Sequence, residues 1–206
     1  MKYEPMNDEF NGDGLDLDKW NLGIAPWKGR QPALFSDKNV TVSDGKLHLT
    51  MRKEEVSEKF EKLGYKDYTS AALHTKVRSS YGYYEVKAKP MNSGGSSSFW
   101  FQVEDVPGWL TEIDVFEIGG KAKGFEFKYN MNLHVFRTPK EKKHWSVGGV
   151  WVAPWKLSSA RPAPISPEHR HLPAPWRLLL TAPWNPGDQR RVGSRTAECP
   201  CPWQRA

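Results

Sequence analysis

The chain has little that would place it in a membrane or in a cystine framework. Its opening, Met1-Lys2-Tyr3-Glu4-Pro5, carries no apolar signal-peptide core. No apolar run is long enough to cross a bilayer. There are 2 Cys in 206 residues, both in Cys199-Pro200-Cys201. That spacing is wrong for a metal knuckle and has no partners, which excludes a zinc ribbon and a disulfide-rich module. No heptad and no repeat is visible. No nucleic-acid motif accompanies the net charge of +6. The densest basic cluster, Lys140-Glu141-Lys142-Lys143, reads as a solvated loop. Nucleic acid and membrane are thus set aside as partners, while a mildly basic surface suits a polyanionic polysaccharide.

The last quarter lacks what the rest is rich in. No lysine follows Lys156, no phenylalanine follows Phe136 and no tyrosine follows Tyr129. Residues 158–206 instead hold 9 of the 16 prolines, and proline at this density blocks helix interiors and central strands. Seven arginines against Glu168, Asp188 and Glu198 give this stretch +4 of the chain's charge. The switch predicts a poorly structured tail at 158–206, either out of frame or a natural proline-rich linker. Leu178-Leu179-Leu180 is its only apolar cluster.

What precedes the tail suits one domain with a real core. Ten tryptophans in a polar chain serve a core or a sugar-stacking cleft, because the indole ring is amphipathic. Strands are expected at 39–42 and 46–52, around the turn Ser43-Asp44-Gly45. Residues 55–66 read as a short helix or a solvated insertion. Further strands are expected at 70–77, 82–89, 99–103, 130–136 and 148–152. Many short strands with turn signals and little helix predict a β-sandwich.

The most informative stretch is Thr111-Glu112-Ile113-Asp114-Val115-Phe116-Glu117-Ile118. Three carboxylates stand at i, i+2 and i+5 in an apolar, β-branched run that reads as a buried strand. Burying carboxylates is expensive, so three on one strand suggest chemistry. In a regular strand Glu112 and Asp114 share a face and Glu117 points away. A β-bulge would return Glu117 to their side. The Glu112 and Glu117 backbones would then lie ~13 Å apart at the usual strand rise. Inward-leaning side chains bring the carboxyls toward the ~5–5.5 Å separation of a nucleophile and an acid/base acting with retention. Asp114 between them would help set the protonation of the nucleophile. On pattern alone, a solvated edge strand bearing three acids fits equally.

Several segments together resemble glycoside hydrolase family 16, in its agarase and porphyranase branch. They are Asp8-Glu9-Phe10-Asn11-Gly12, Asn39-Val40-Thr41-Val42 with Asp44-Gly45-Lys46-Leu47, and Tyr81-Gly82-Tyr83-Tyr84-Glu85-Val86-Lys87-Ala88-Lys89-Pro90 leading into Ser96-Ser97-Ser98-Phe99-Trp100-Phe101. The carboxylate strand follows, then Asn130-Met131-Asn132-Leu133-His134-Val135-Phe136 and His144-Trp145-Ser146-Val147-Gly148-Gly149.

The resemblance covers 7–157. It implies an all-β jelly-roll of two curved antiparallel sheets with a concave cleft, incomplete at the C-terminus because the tail replaces later strands. It implies Glu112 as nucleophile, Glu117 as acid/base and Asp114 as their assistant, in retaining endo-hydrolysis of β-1,4-linked galactose in red-algal galactans. Porphyran, a sulfated galactan, is an alternative substrate; a catalytically silent fragment or a carbohydrate-binding protein are alternative outcomes.

The resemblance further implies Trp100 as a sugar platform, with His134 close to Glu117. Trp27 and Arg30 would be substrate-contacting, since arginine's planar fork can read sulfate. Trp109 and Trp145 are further substrate-side candidates. It requires no cofactor and no catalytic metal. A structural calcium is expected only as an option, near Glu9 and the Gly45 backbone. A monomer that is secreted or held at the cell surface is the expected setting.

Overall fold

The computed structural model describes residues 4–79, 82–103, 107–125 and 128–152, with backbone alone for 151–152 and 177–181. In chain order the strands are β1 (Trp20–Leu22), β2 (Ala33–Phe35), β3 (Val40–Ser43), β4 (Lys46–Leu49), β5 (Arg52–Lys53), β6 (Tyr68–Ser70), β7 (Ala72–Thr75), β8 (Ser97–Val103), β9 (Leu110–Ile118), β10 (Lys128–Arg137), β11 (Trp145–Val152) and β12 (Arg177–Thr181). Among the described residues the helical elements are a 3-10 turn at Asp37–Asn39, before β3, and the short α1 (Glu58–Glu61), between β5 and β6. The expected all-β class is what the described residues form.

Seven strands make the main sheet, in the order β1-β7-β12-β8-β9-β10-β11. Three others form a sheet ordered β2-β6-β5, and β3 pairs with β4. The β3–β4 turn is the one the sequence marks. Asp44 and Gly45 both have positive φ, 52° and 64°, as a two-residue turn matching the strand twist requires.

Where strand signals and ladders part company, the reasons are local. The run expected at 70–77 takes in only the last residue of β6 and then all of β7, which serve different sheets, with the fully buried Ala71 between them. At 82–89 no strand ladder is formed among the described residues. Tyr84, Val86 and Ala88 are nevertheless half-buried while Tyr83, Glu85, Lys87 and Lys89 are exposed, so the period-2 signal reported burial. The tail supplies β12, which pairs with β7 on one side and β8 on the other. Residues 177–181 are therefore not irregular as expected: they are five proline-free residues, and β12 joins β1 and β7 to the rest of the sheet. The rest of the tail lies outside the described residues.

The core explains why β8 reads as an apolar run. Phe99, Phe101 and Val103 share one face and are packed by Tyr84, Val86, Ile113, Val115 and Phe116. Phe99 lies 5.6 Å from Phe101 and Tyr84 lies 4.9 Å from Phe101, both edge to face. Burying each such ring is worth roughly 1.5–3 kcal/mol. The other face of β8 carries Trp100, clustered with Ile24 and Ala72 under Trp27 and Phe35. Both faces of β8 are thus covered, which a sequence expresses as hydrophobicity without alternation.

Candidate active site

The β9 ladder contains the bulge. Toward β8, Phe99 pairs with Phe116 but the next residue, Trp100, pairs with Asp114. Toward β10, Asn130 pairs with Glu117 and Asn132 with Asp114. Three steps on β9 therefore match two on β10, and Val115 is the additional residue. Val115 and Phe116 both pack on the Phe99–Phe101–Val103 cluster. Glu112, Asp114 and Glu117 are left together on the opposite face. Burying two consecutive apolar side chains on one side drives this re-aiming, because neither is then left to water.

Each carboxyl has its own partner from a neighbouring strand. Gln102 Nε2 on β8 donates to Glu112 Oε2 at 3.2 Å. Asn130 Nδ2 on β10 donates to Glu117 Oε2 at 3.0 Å. His134 Nε2 on β10 lies 3.2 Å from Asp114 Oδ2. Ligand atoms of Glu112, Asp114 and His134 lie within 4.8 Å of one another. Two of them already face protein hydrogen-bond donors, and no cation is required to hold the cluster together.

Burial, reinforced by the Asp114 charge, pushes Glu112 up to about 8. Burial and Asp114 also raise Glu117, against the opposing effect of the Asn130 hydrogen bond. Burial would lower His134, but its hydrogen bond to Asp114 and the surrounding carboxylates outweigh that and raise it. The two glutamates sit in one field, so losing a proton from the first makes the second harder to ionise. Both glutamates are thus driven toward their protonated forms, and each holds the other back from ionising.

The structure brings some of the other expected residues to this face and not others. Arg30 is exposed on the β1–β2 loop, and its charge is near enough to lower both Glu112 and Glu117. The adjacent Gly29 has φ +123°, and a Cβ there would meet Ala33 O at 2.5 Å, so the loop turns back on itself just before Arg30. Tyr65 Oη donates to Gly29 O at 3.2 Å and fixes the same turn. His134 faces Glu112 across the ladder and bonds Asp114 rather than Glu117.

Trp100 does not present an open platform. It pairs with Asp114 on the carboxylate face but is only 6% exposed, with Trp27 edge-on at 6.3 Å. A sugar stacks on an uncovered ring face, and the half-buried Trp27 is the member of this pair that reaches the surface. Trp145 pairs with Val135, so it shares the face opposite His134 and lies off the site. Trp109 is 40% exposed just ahead of β9.

Three residues of the site were not singled out from sequence: Gln102, Asn130 and His144. The first two had a readable signal. Gln102 is the lone amide in an apolar strand, and Asn130, Asn132 and His134 alternate with Met131, Leu133 and Val135. His144 had none, because a loop places it.

A family model described as beta-porphyranase A–D, GH16 domain, matches residues 1–154. Beta-porphyranase E of Zobellia galactanivorans is 32% identical over 160 residues, which is 73% of this chain and 56% of that protein. Beta-porphyranase B of the same organism is 31% identical over 153 residues, 66% of this chain and 50% of that protein. The chain spans about half the length of the curated relatives it matches. The crystal structure of porphyranase B from Zobellia galactanivorans superposes with a TM-score of 0.73 at 23% identity, covering 93% of this chain and 83% of that one. The likeness shows a shared jelly-roll fold, whose sheets are not closed among the described residues.

Proposed function

Since the chain belongs to glycoside hydrolase family 16, in its agarase and porphyranase branch, we propose that it is built as an endo-acting, retaining hydrolase of β-1,4-galactosidic bonds in agar-type red-algal galactans. The observation that carries this reading is the bulge at Val115, which gathers Glu112, Asp114 and Glu117 on one face.

In the proposed reaction Glu112, in the ionised form that its raised pKa of about 8 makes more abundant as pH rises, attacks the anomeric carbon while protonated Glu117 gives its proton to the glycosidic oxygen. The glycosidic bond breaks, the leaving chain departs as an alcohol and a galactosyl–Glu112 ester forms. Glu117, now charged, takes a proton from water, the water oxygen attacks the same carbon, and Glu112 is released. Two inversions give net retention. The hydrogen bond from Gln102 favours charge on Glu112. His134 neutralises Asp114 between the two, so the cluster bears less repulsion as charge passes from one glutamate to the other.

No cofactor enters these steps, because substrate, water and two carboxyls supply every atom that moves. A calcium near Glu9 and Gly45 would be structural only. Asn11 Oδ1 lies in the same place, 3.2 Å from where a Cβ of Gly45 would stand. A polymeric substrate of this size stays outside cells, so secretion or cell-surface display is part of the proposal, as is a monomer, since one chain supplies the whole carboxylate group.

Porphyran is favoured as the particular galactan by Arg30, an exposed cation whose charge acts on both glutamates. Release of reducing ends from porphyran and from agarose tests both levels. Arg30→Met is expected to lower kcat/KM on porphyran by roughly 10–100-fold, the loss of charge-assisted hydrogen bonds, with less than about threefold change on agarose. Equal losses on both would assign Arg30 to tuning the glutamates and remove the sulfate reading. No release from either polymer would defeat the hydrolase reading for this chain.

A further inference from the structure

Beside the carboxylate group stands a second histidine that the proposed reaction does not use. His144, in the β10–β11 loop, has Nε2 3.2 Å from Nδ1 of His134. Its ring also lies 5.5 Å from that of His134 at 25° and 4.5 Å from Phe136 at 12°. Phe136 in turn stacks on His134 at 5.6 Å. The loop is pinned at its base: Thr138 N donates to Glu141 O at 2.7 Å, and Glu141 N to Thr138 Oγ1 at 2.9 Å. Lys143 N, next to His144, donates to Glu141 Oε1 at 3.1 Å.

We propose that His144 is a positioning residue: braced on Phe136, it holds the His134 ring by one in-line hydrogen bond, so that His134 Nε2–H stays on Asp114. The two rings form a chain, Asp114–His134–His144, running from a buried carboxylate to an exposed imidazole. When His134 is charged, its Nε2–H donates to Asp114 and its Nδ1–H to His144 Nε2, which requires neutral His144 with its own proton on Nδ1. The opposite shifts of the two rings agree with this order. His134 is raised, whereas burial and the charge of His134 lower His144. The other charges acting on the pair are Glu112 and Glu117 on β9; the loop that carries His144 also holds Lys140, Glu141, Lys142 and Lys143.

The inference rests on the hydrolase reading only for its kinetic consequence. Its test is a spectroscopic one that needs no turnover. Ring-nitrogen NMR of the full chain reports the tautomer and titration of His134 in the wild type, in His144→Phe and in His144→Gln. Phenylalanine keeps the stack on Phe136 and removes the hydrogen bond; glutamine keeps an acceptor. His144→Phe is expected to lower the His134 pKa by roughly half a unit or more and to mix its neutral tautomers, with His144→Gln close to wild type. Thr138→Ala, which frees the loop without touching either ring, is expected to move His134 in the same direction by less. A His134 titration identical in the wild type, His144→Phe and Thr138→Ala would overturn the proposal. A shifted titration in a chain that hydrolyses no galactan would uphold it while the hydrolase reading fails.

Discussion

Glu112→Gln is expected to lower galactan turnover by roughly 10³-fold or more, the loss seen when a covalent nucleophile is removed. Glu117→Gln is expected to cost about 10²–10⁴-fold, the range for a general acid/base. Both substitutions keep size and an acceptor oxygen, so the Gln102 and Asn130 hydrogen bonds persist. Each also removes a buried ionisable group, so neither variant should be less stable than the parent. Oligosaccharide affinity, measured by calorimetry, is expected to change by less than about tenfold, since the lost interactions belong to the transition state. Added azide separates the roles. It can replace the base-activated water in Glu117→Ala and give a product of retained configuration, whereas in Glu112→Ala it can replace the nucleophile and give the inverted one. The reversed pairing of products would exchange the two assignments.

Strand parity yields the second large effect. Deleting Ile113 places Glu112 on the opposite face from Asp114 and Glu117, because side chains alternate along β9. That deletion is expected to abolish measurable turnover. Deleting Val115 has a different consequence: Glu112, Asp114 and Glu117 then fall at i, i+2 and i+4 of a regular strand and still share a face. That deletion is expected to leave turnover within about tenfold of the parent. Its cost falls on stability, because one side chain is lost from the packing against Phe99, Phe101 and Val103. Denaturant melts beside the activity assay separate the two effects. Equal loss of activity in two folded deletion variants would show that parity is not what aligns the carboxyls.

The site was legible in the sequence wherever strand parity governs it. The spacing of Glu112, Asp114 and Glu117 announced a bulge, since no regular strand uses all three on one face. Its place was not read from the sequence: the bulge falls at Val115 beside Phe116, and both side chains pack against the core cluster. Tryptophan exposure was not legible. Trp100 alternates correctly onto the carboxylate face, but period-2 patterning cannot tell that Trp27 of the β1–β2 loop and Phe35 of β2 pack over it. His144 was hidden for a related reason: its place is fixed by the length and hydrogen bonding of the β10–β11 loop. In the tail, high proline content concealed a five-residue stretch, Arg177–Thr181, that contains none and pairs with both β7 and β8. Composition averages over a window longer than one strand.

The direct test of the paired-carboxylate claim is the configuration of the first product, followed by proton NMR of the anomeric resonance during early hydrolysis of porphyran or agarose. Glu112 and Glu117 acting as nucleophile and acid/base give the β-anomer first, with the α-anomer appearing only as mutarotation proceeds. An α-anomer at the earliest time points would mean direct attack by water, and would contradict the account.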